Sequence, residues 1–117
     1  MASVIVKPSD SMSTIQSKLN KYKDLQFQLG TYKITKQLII SEGTTINLNG
    51  ATLQRRASIQ SIFLNKVTKS TTKYNGAGNI IIQNGTIEGY GGYSYDNLIT
   101  FFHARSIKII GVIFKDA

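Results

Sequence analysis

The feature that most constrains this chain is an internal repeat. The frame Ile46-x-Leu48-x-Gly50-x-x-Leu53 recurs as Ile80-x-Ile82-x-Asn84-x-x-Ile87, and again as Ile107-x-Ile109-x-Gly111-x-x-Phe114. Three apolar positions coincide. The corner is Gly, Asn, Gly, the residues that most readily take a left-handed backbone. Upstream, Leu38 and Ile40 precede Ile46 at the distances at which Ile99 and Phe101 precede Ile107. Ile62 and Leu64 occupy the matching place in the middle unit, which a polar segment from Asn65 to Gly78 lengthens. Each unit reads as three short strands: 38–41, 45–49, 51–54; then 61–64, 79–83, 85–88; then 98–101, 106–110, 112–115. Hairpins give no reason for this recurrence. A parallel solenoid does, because inward residues of one coil stack on those of the next. The stacks expected are Leu38/Ile62/Ile99, Ile40/Leu64/Phe101, Ile46/Ile80/Ile107, Leu48/Ile82/Ile109 and Leu53/Ile87/Phe114. The outward position after the last stack gives Gln54, Glu88 and Lys115, so Glu88 and Lys115 face each other across one strand spacing.

A single helix precedes the repeats. Met12, Ile15, Leu19 and Tyr22 form one apolar stripe, behind N-cap candidates Ser9, Asp10 and Ser11. Lys18, Lys21 and Lys23 lie at the end where the helix dipole favours cations. The spacing predicts a helix at about 11–22. Residues 1–24 are thus an N-terminal strand and capping helix. Residues 25–117 are the coils, and these stop straight after a core-facing Phe114, as a truncated solenoid would. Further coils, or identical subunits with a trimer among the arrangements, are expected to cover that end.

Composition excludes several chemistries. Cysteine is absent and there is one histidine, His103. No disulfide scaffold, thiol nucleophile, Cys-based metal site or two-His metal motif is available, so neither metal nor cofactor is expected. Hydrophobic residues make up 41% and charged residues 17%, too apolar for a disordered tail or coiled coil. Val4-Ile5-Val6 is too short for a signal-peptide core, and nothing approaches a membrane span. Gly76-Ala77-Gly78 precedes a strand, so it is no dinucleotide loop. Asn84-Gly85-Thr86 fits a glycosylation sequon, but it sits at the corner of the repeat.

Thr14-Ile15-Gln16, Gly30-Thr31-Tyr32-Lys33-Ile34 and Asn49-Gly50-Ala51-Thr52-Leu53 together resemble the opening of right-handed parallel β-helix proteins of the pectate-lyase-like superfamily. Asn79-Ile80-Ile81-Ile82, then Gly85-Thr86-Ile87-Glu88-Gly89-Tyr90-Gly91, resembles the Gly-x-Ile-Asp-Gly-x-Gly stretch of its polygalacturonase-like members, to which phage tail-spike proteins are related. Leu98-Ile99-Thr100-Phe101 and Ser106-Ile107-Lys108-Ile109-Ile110-Gly111 resemble the coil that follows. The resemblance implies an all-β fold: a right-handed parallel β-helix, a solenoid of about three coils, with an N-terminal capping α-helix. It also implies action on polysaccharides, by hydrolysis or elimination, in an extracellular or virion-associated setting. The catalytic motifs of the polygalacturonase group, an Asn-Thr-Asp strand, an Asp-Asp pair, Gly-His-Gly and Arg-Ile-Lys, do not occur here, and Arg105-Ser106-Ile107-Lys108 is only a near miss.

The acids are Asp10, Asp24, Glu42, Glu88, Asp96 and Asp116. Glycosidic-bond hydrolysis needs two carboxylates facing each other across a sugar. Glu88 and Asp96 are the only near pair with aromatic neighbours, against a plain reading as ladder partner and turn former. Tyr90, Tyr93 and Tyr95 between them can stack on sugar rings, or pack a corner. The net charge of +8 suits an anionic polymer, or is a solvated lysine surface. Arg55, Arg56, Lys66, Lys69 and Lys73 are the densest basic spots. Scattered cations without a recognition helix argue against nucleic acid. The sequence therefore supports part of a carbohydrate-directed protein, a polysaccharide hydrolase or lyase, without a complete catalytic site in these residues. Its rival is a non-catalytic structural or adhesion module of a virion or cell surface. If the parent is an enzyme, residues 1–117 alone are expected to cleave nothing.

Overall fold

A computed structural model describes residues 3–66, 76–89 and 98–115. Among them are one helix and ten strands: β1 (Ser3–Val6), α1 (Met12–Lys21), β2 (Asp24–Phe27), β3 (Thr31–Ile34), β4 (Leu38–Ile40), β5 (Thr45–Asn47), β6 (Thr52–Arg55), β7 (Phe63–Asn65), β8 (Ile80–Glu88), β9 (Ile99–Thr100) and β10 (Ile107–Lys115). All strand pairs formed by these residues are parallel. β1-β2-β5-β8-β6-β3 run side by side with β10 on the far side of β8, and β4-β7-β9 form a second, small sheet.

This corrects the expected right-handed β-helix of about three coils with a helical cap. The structure is a small globule of 35 × 34 × 26 Å in which the large sheet curls like half a barrel. The physical reason lies in β8. It runs unbroken for 9 residues and carries β5 along its first half and β6 along its second. Two faces that separate coils would keep distinct are thereby joined into one sheet. The strands of the small sheet, by contrast, are only 2 or 3 residues long.

The registers differ from the expected stacks in two places. Ile46 pairs with Ile82, not Ile80, while Leu53 pairs with Ile87 as expected. The stretch from Ile46 to Leu53 is therefore two residues longer than the part of β8 beside it. The excess is taken up at Asn49-Gly50, where two consecutive residues are left-handed (φ 49° and 83°), whereas β8 has only Asn84 (φ 63°). In the small sheet Leu38 pairs with Phe63, and Ile40 with Asn65, one residue beyond the expected Ile62 and Leu64. Asn65 turns inward because its amide is fully satisfied there. It donates to Ala77 O and Phe102 O and accepts from Phe102 N–H, at 3.0, 2.8 and 2.9 Å. β8 and β10 hold one register throughout, with Ile80 on Ile107, Ile82 on Ile109 and Glu88 on Lys115.

The core is built from inward rows. Val4, Leu25, Ile46, Ile82 and Ile109 form one across five strands, and Tyr32, Leu53, Ile87 and Phe114 another. Leu25, Ile46, Ile82, Leu53 and Ile87 are completely buried. Each such side chain contributes about 1.5–3 kcal/mol relative to exposure. Tyr32 spans the row's end, its hydroxyl shared between Val6 O and Gln28 O. Burial, with the nearby Asp10 charge, pushes its phenol up to about 12.

The helix lies within a residue of the expected range. Ser11 is its N-cap, with Oγ accepting from Thr14 N–H at 3.2 Å. Ile15 and Leu19 are buried beneath it. Lys18 fastens it to β1 by donating to Ile5 O and pairing with Asp10 at 2.6 Å. Gln16 covers the edge of β4. Its Nε2 donates to Ile39 O and its Oε1 accepts from Ile39 N–H, at 2.9 and 2.8 Å, in the manner of a neighbouring strand. Gln16→Ala is expected to cost about 1–2 kcal/mol in urea denaturation, since both backbone groups lose their partner. An unchanged midpoint would show that the helix leaves that edge open.

Candidate functional site

The second half of the curled sheet presents a regular polar face. Tyr32, Leu53 and Ile87 point inward, so their neighbours in β3, β6, β8 and β10 point out. Register aligns these outward residues in two rows. One is Thr31, Thr52, Thr86, Ile113; the other is Lys33, Gln54, Glu88, Lys115. Strand spacing places the ends of each row about 14 Å apart. The second row is linked by hydrogen bonds. Arg56 Nη1 donates to Gln54 Oε1 at 3.2 Å, and Gln54 Nε2 donates to Glu88 Oε1 at 3.4 Å. Three cations, Lys33, Arg56 and Lys115, share this face with one carboxylate. Its hydroxyls, amide and charges suit a polar, anionic polymer laid across the strands.

The first half of the sheet carries a different polar row: Gln26, Asn47 and Gln83. The amides of Gln26 and Asn47 are engaged by residues beside the row. Gln26 donates to Asp24, Asn49 to Gln26 and Phe27 O, and Asn84 to Asn47. That row ties the corner together. Nothing in the repeat frame marked it, since the frame tracks apolar positions alone.

The basic and acidic candidates separate on inspection. Arg55 is not a surface contact: it is 2% exposed, in line with Ile34, and its Nε donates to Gly89 O at 3.3 Å. Alternation explains this, because Arg55 falls on the inward side of β6. Arg56 and Glu88 are on the polar face described above. Lys66 is exposed, but it follows β7 in the small sheet. Tyr90, Tyr93, Tyr95, Asp96, Lys69, Lys73 and Asp116 lie outside the described residues. His103 is exposed at a left-handed corner, its carbonyl accepting from Gly76 N–H. Lys33 and Lys115 complete the row. Lys115 was legible as the partner of Glu88; Lys33 was missed, although its place next to Tyr32 in an alternating strand marks it as outward.

Asp10 and Glu42 have structural partners. Burial raises the Asp10 carboxyl, but hydrogen bonds from Lys18 and Lys7 N–H outweigh it and leave a net lowering. Glu42 accepts from Gly78 N–H at 2.7 Å and Asn79 Nδ2 at 2.5 Å, and these bonds, Gly78 first, hold its carboxyl below its ordinary value. A lowered carboxyl supplies stability that is present above its unfolded value and is lost as pH falls through the folded one. Glu42→Gln should therefore be less stable at neutral pH, by under about 1 kcal/mol because the group is exposed and screened. Its stability should also decline less than that of the parent between pH 5 and pH 3, roughly the range of carboxyl titration. Parallel pH profiles for the two proteins, from thermal melts, would refute this.

Among the described residues no group of three or more His, Asp and Glu could hold a metal ion, and no helix is long and apolar enough to cross a membrane. No family model matches the chain, and no curated protein or solved structure matches it significantly.

Proposed function

We propose that this chain is a carbohydrate-directed module that holds an anionic polysaccharide on the β3–β6–β8–β10 face, within an extracellular or virion-associated protein of the polysaccharide hydrolase or lyase type. The observation that carries this reading is the row Lys33, Gln54, Glu88, Lys115, extended by Arg56 and flanked by three threonines at strand spacing. The sequence resemblance to polysaccharide-acting proteins points the same way. The face favours binding over bond cleavage, because Glu88 is engaged by Gln54 and has a lysine as its ladder neighbour.

The test is binding to polygalacturonate, with neutral dextran as control. Affinity for the acidic polymer should fall steeply with salt, because exposed contacts are screened. Lys33→Ser with Lys115→Ser should weaken it about tenfold, with little change in melting temperature. Lys66, Lys69 and Lys73, replaced together by Ser, probe the other basic candidate. Binding that ignores salt and the Lys33/Lys115 pair would remove the proposal. Absence of any glycan binding would favour the second reading, a structural or adhesion module, for which the exposed apolar residues of β10 speak.

A further inference from the structure

β10 is the long open edge of the sheet. It pairs with β8 over its whole length, and among the described residues no strand lies against its other side. Its inward row, Ile107, Ile109, Val112 and Phe114, continues the rows that are fully buried in β8, yet Ile109 is 40% and Phe114 47% exposed. Ile110 and Ile113 on the outward row are exposed too. A nine-residue, mostly apolar edge with no strand against its outer side among the described residues is a template for another strand.

We propose that this edge accepts an extended strand of another polypeptide, added in parallel, and that the sheet itself specifies its sequence. Three features fix it. Inward positions must be apolar, to cover Ile107, Ile109 and Phe114. The position level with Gly111 must be Asn or Gly, because Gly111 (φ 62°) repeats the left-handed bend of Asn84 (φ 63°), and a strand that follows β10 must bend at the same level. Opposite Lys115 an acid is preferred: Lys115 lies beside Glu88 on one side, and among the described residues no strand flanks it on the other. Lys108 gives the same preference near the start of the strand. The occupant is thus apolar-acid-apolar-x-(Asn or Gly)-x-x-apolar-acid. A second copy of this chain fits less well. A two-fold pair of β10 strands would run antiparallel, unlike every pair in the sheet, and would bring together two chains that each carry +8.

β8 itself satisfies most of this pattern, with Ile80, Ile82, Asn84, Ile87 and Glu88 at the required places. The probe is therefore a fluorescently labelled, end-capped peptide with the sequence of residues 80–88, titrated into the full chain and followed by anisotropy and amide hydrogen exchange. Saturable binding with new protection confined to β10 is expected. Lysine in place of the peptide's final glutamate should weaken binding about tenfold, and Lys115→Glu in the protein should restore it. Ile109→Lys should abolish binding; the side chain belongs to the inward row but is 40% exposed at the open edge, so its ammonium can reach solvent, and an unchanged melting transition checks that the protein stays folded. No saturable binding below about 1 mM, equal binding of a scrambled peptide, or indifference to Ile109→Lys would overturn the proposal. So would concentration-dependent dimerisation of the protein alone that blocks the peptide, which would make the occupant a second copy.

Discussion

Ile82→Asp is expected to abolish cooperative folding. Ile82 is completely buried within the longest inward row, between Ile46 on β5 and Ile109 on β10. An aspartate there has apolar neighbours on both sides and no cation within its row. The carboxyl must either lose its hydration while charged or be protonated. Either costs several kcal/mol, and the packing that the isoleucine provides on both sides goes as well. That is of the order of the whole stability of a domain this size, about 5–15 kcal/mol. Circular dichroism against temperature should show no sigmoidal transition. A midpoint within a few degrees of the parent would mean that Ile82 is not where the β5–β8–β10 register places it.

The second large effect is expected at Gly85. A Cβ added there would meet Leu48 Cβ at 2.4 Å, Leu48 Cδ1 at 2.6 Å and Ala51 O at 3.0 Å. Two of these atoms cannot retreat by rotating a side chain, since Leu48 Cβ and Ala51 O move only with the backbone. Ala51 O also accepts from Thr86 N–H, a bond that a shift would stretch. Gly85→Ala should therefore cost about 3 kcal/mol, at the upper end of overpacking effects. Urea denaturation measures it, and a loss under about 1 kcal/mol would show that the first corner does not press on β8 so closely.

Much of this arrangement was legible in the residues, and the gaps have identifiable causes. The β8–β10 register could be read because both strands are the same length and bend once, at Asn84 and Gly111. The β5–β8 register could not, because Asn49-Gly50 bends twice where a single corner was assumed. Alternation gave the wrong inward residue in β7, because Asn65 is polar yet buried, and only its bonds to Ala77 and Phe102 explain that. The same blindness hid Arg55, a cation on the inward side of β6. Gln16 could not be found at all: as a residue of an amphipathic helix it is unremarkable until β4 is placed beneath it. Of the polar face, the row Gln54, Glu88, Lys115 followed from the repeat, whereas Lys33 needed the pairing of β3 with β6.

The order of strands in the sheet has a consequence for how the chain acquires its shape. Each strand pairs with strands made earlier on one side and later on the other: β1, β2, β5, β8, β10 in one series, β3, β6, β8, β10 in a second, and β4, β7, β9 in the third. No strand has to be inserted between two that are already joined. Synthesis at about 5–20 residues per second delivers them in the order in which they can dock. Folding on the ribosome can thus proceed by addition at a moving front, with β8 as the step that locks the first two series together. A circular permutation that delivered β8 and β10 first would keep every final pairing but lose that sequence of arrivals. It would leave a bare apolar ribbon waiting for its partners.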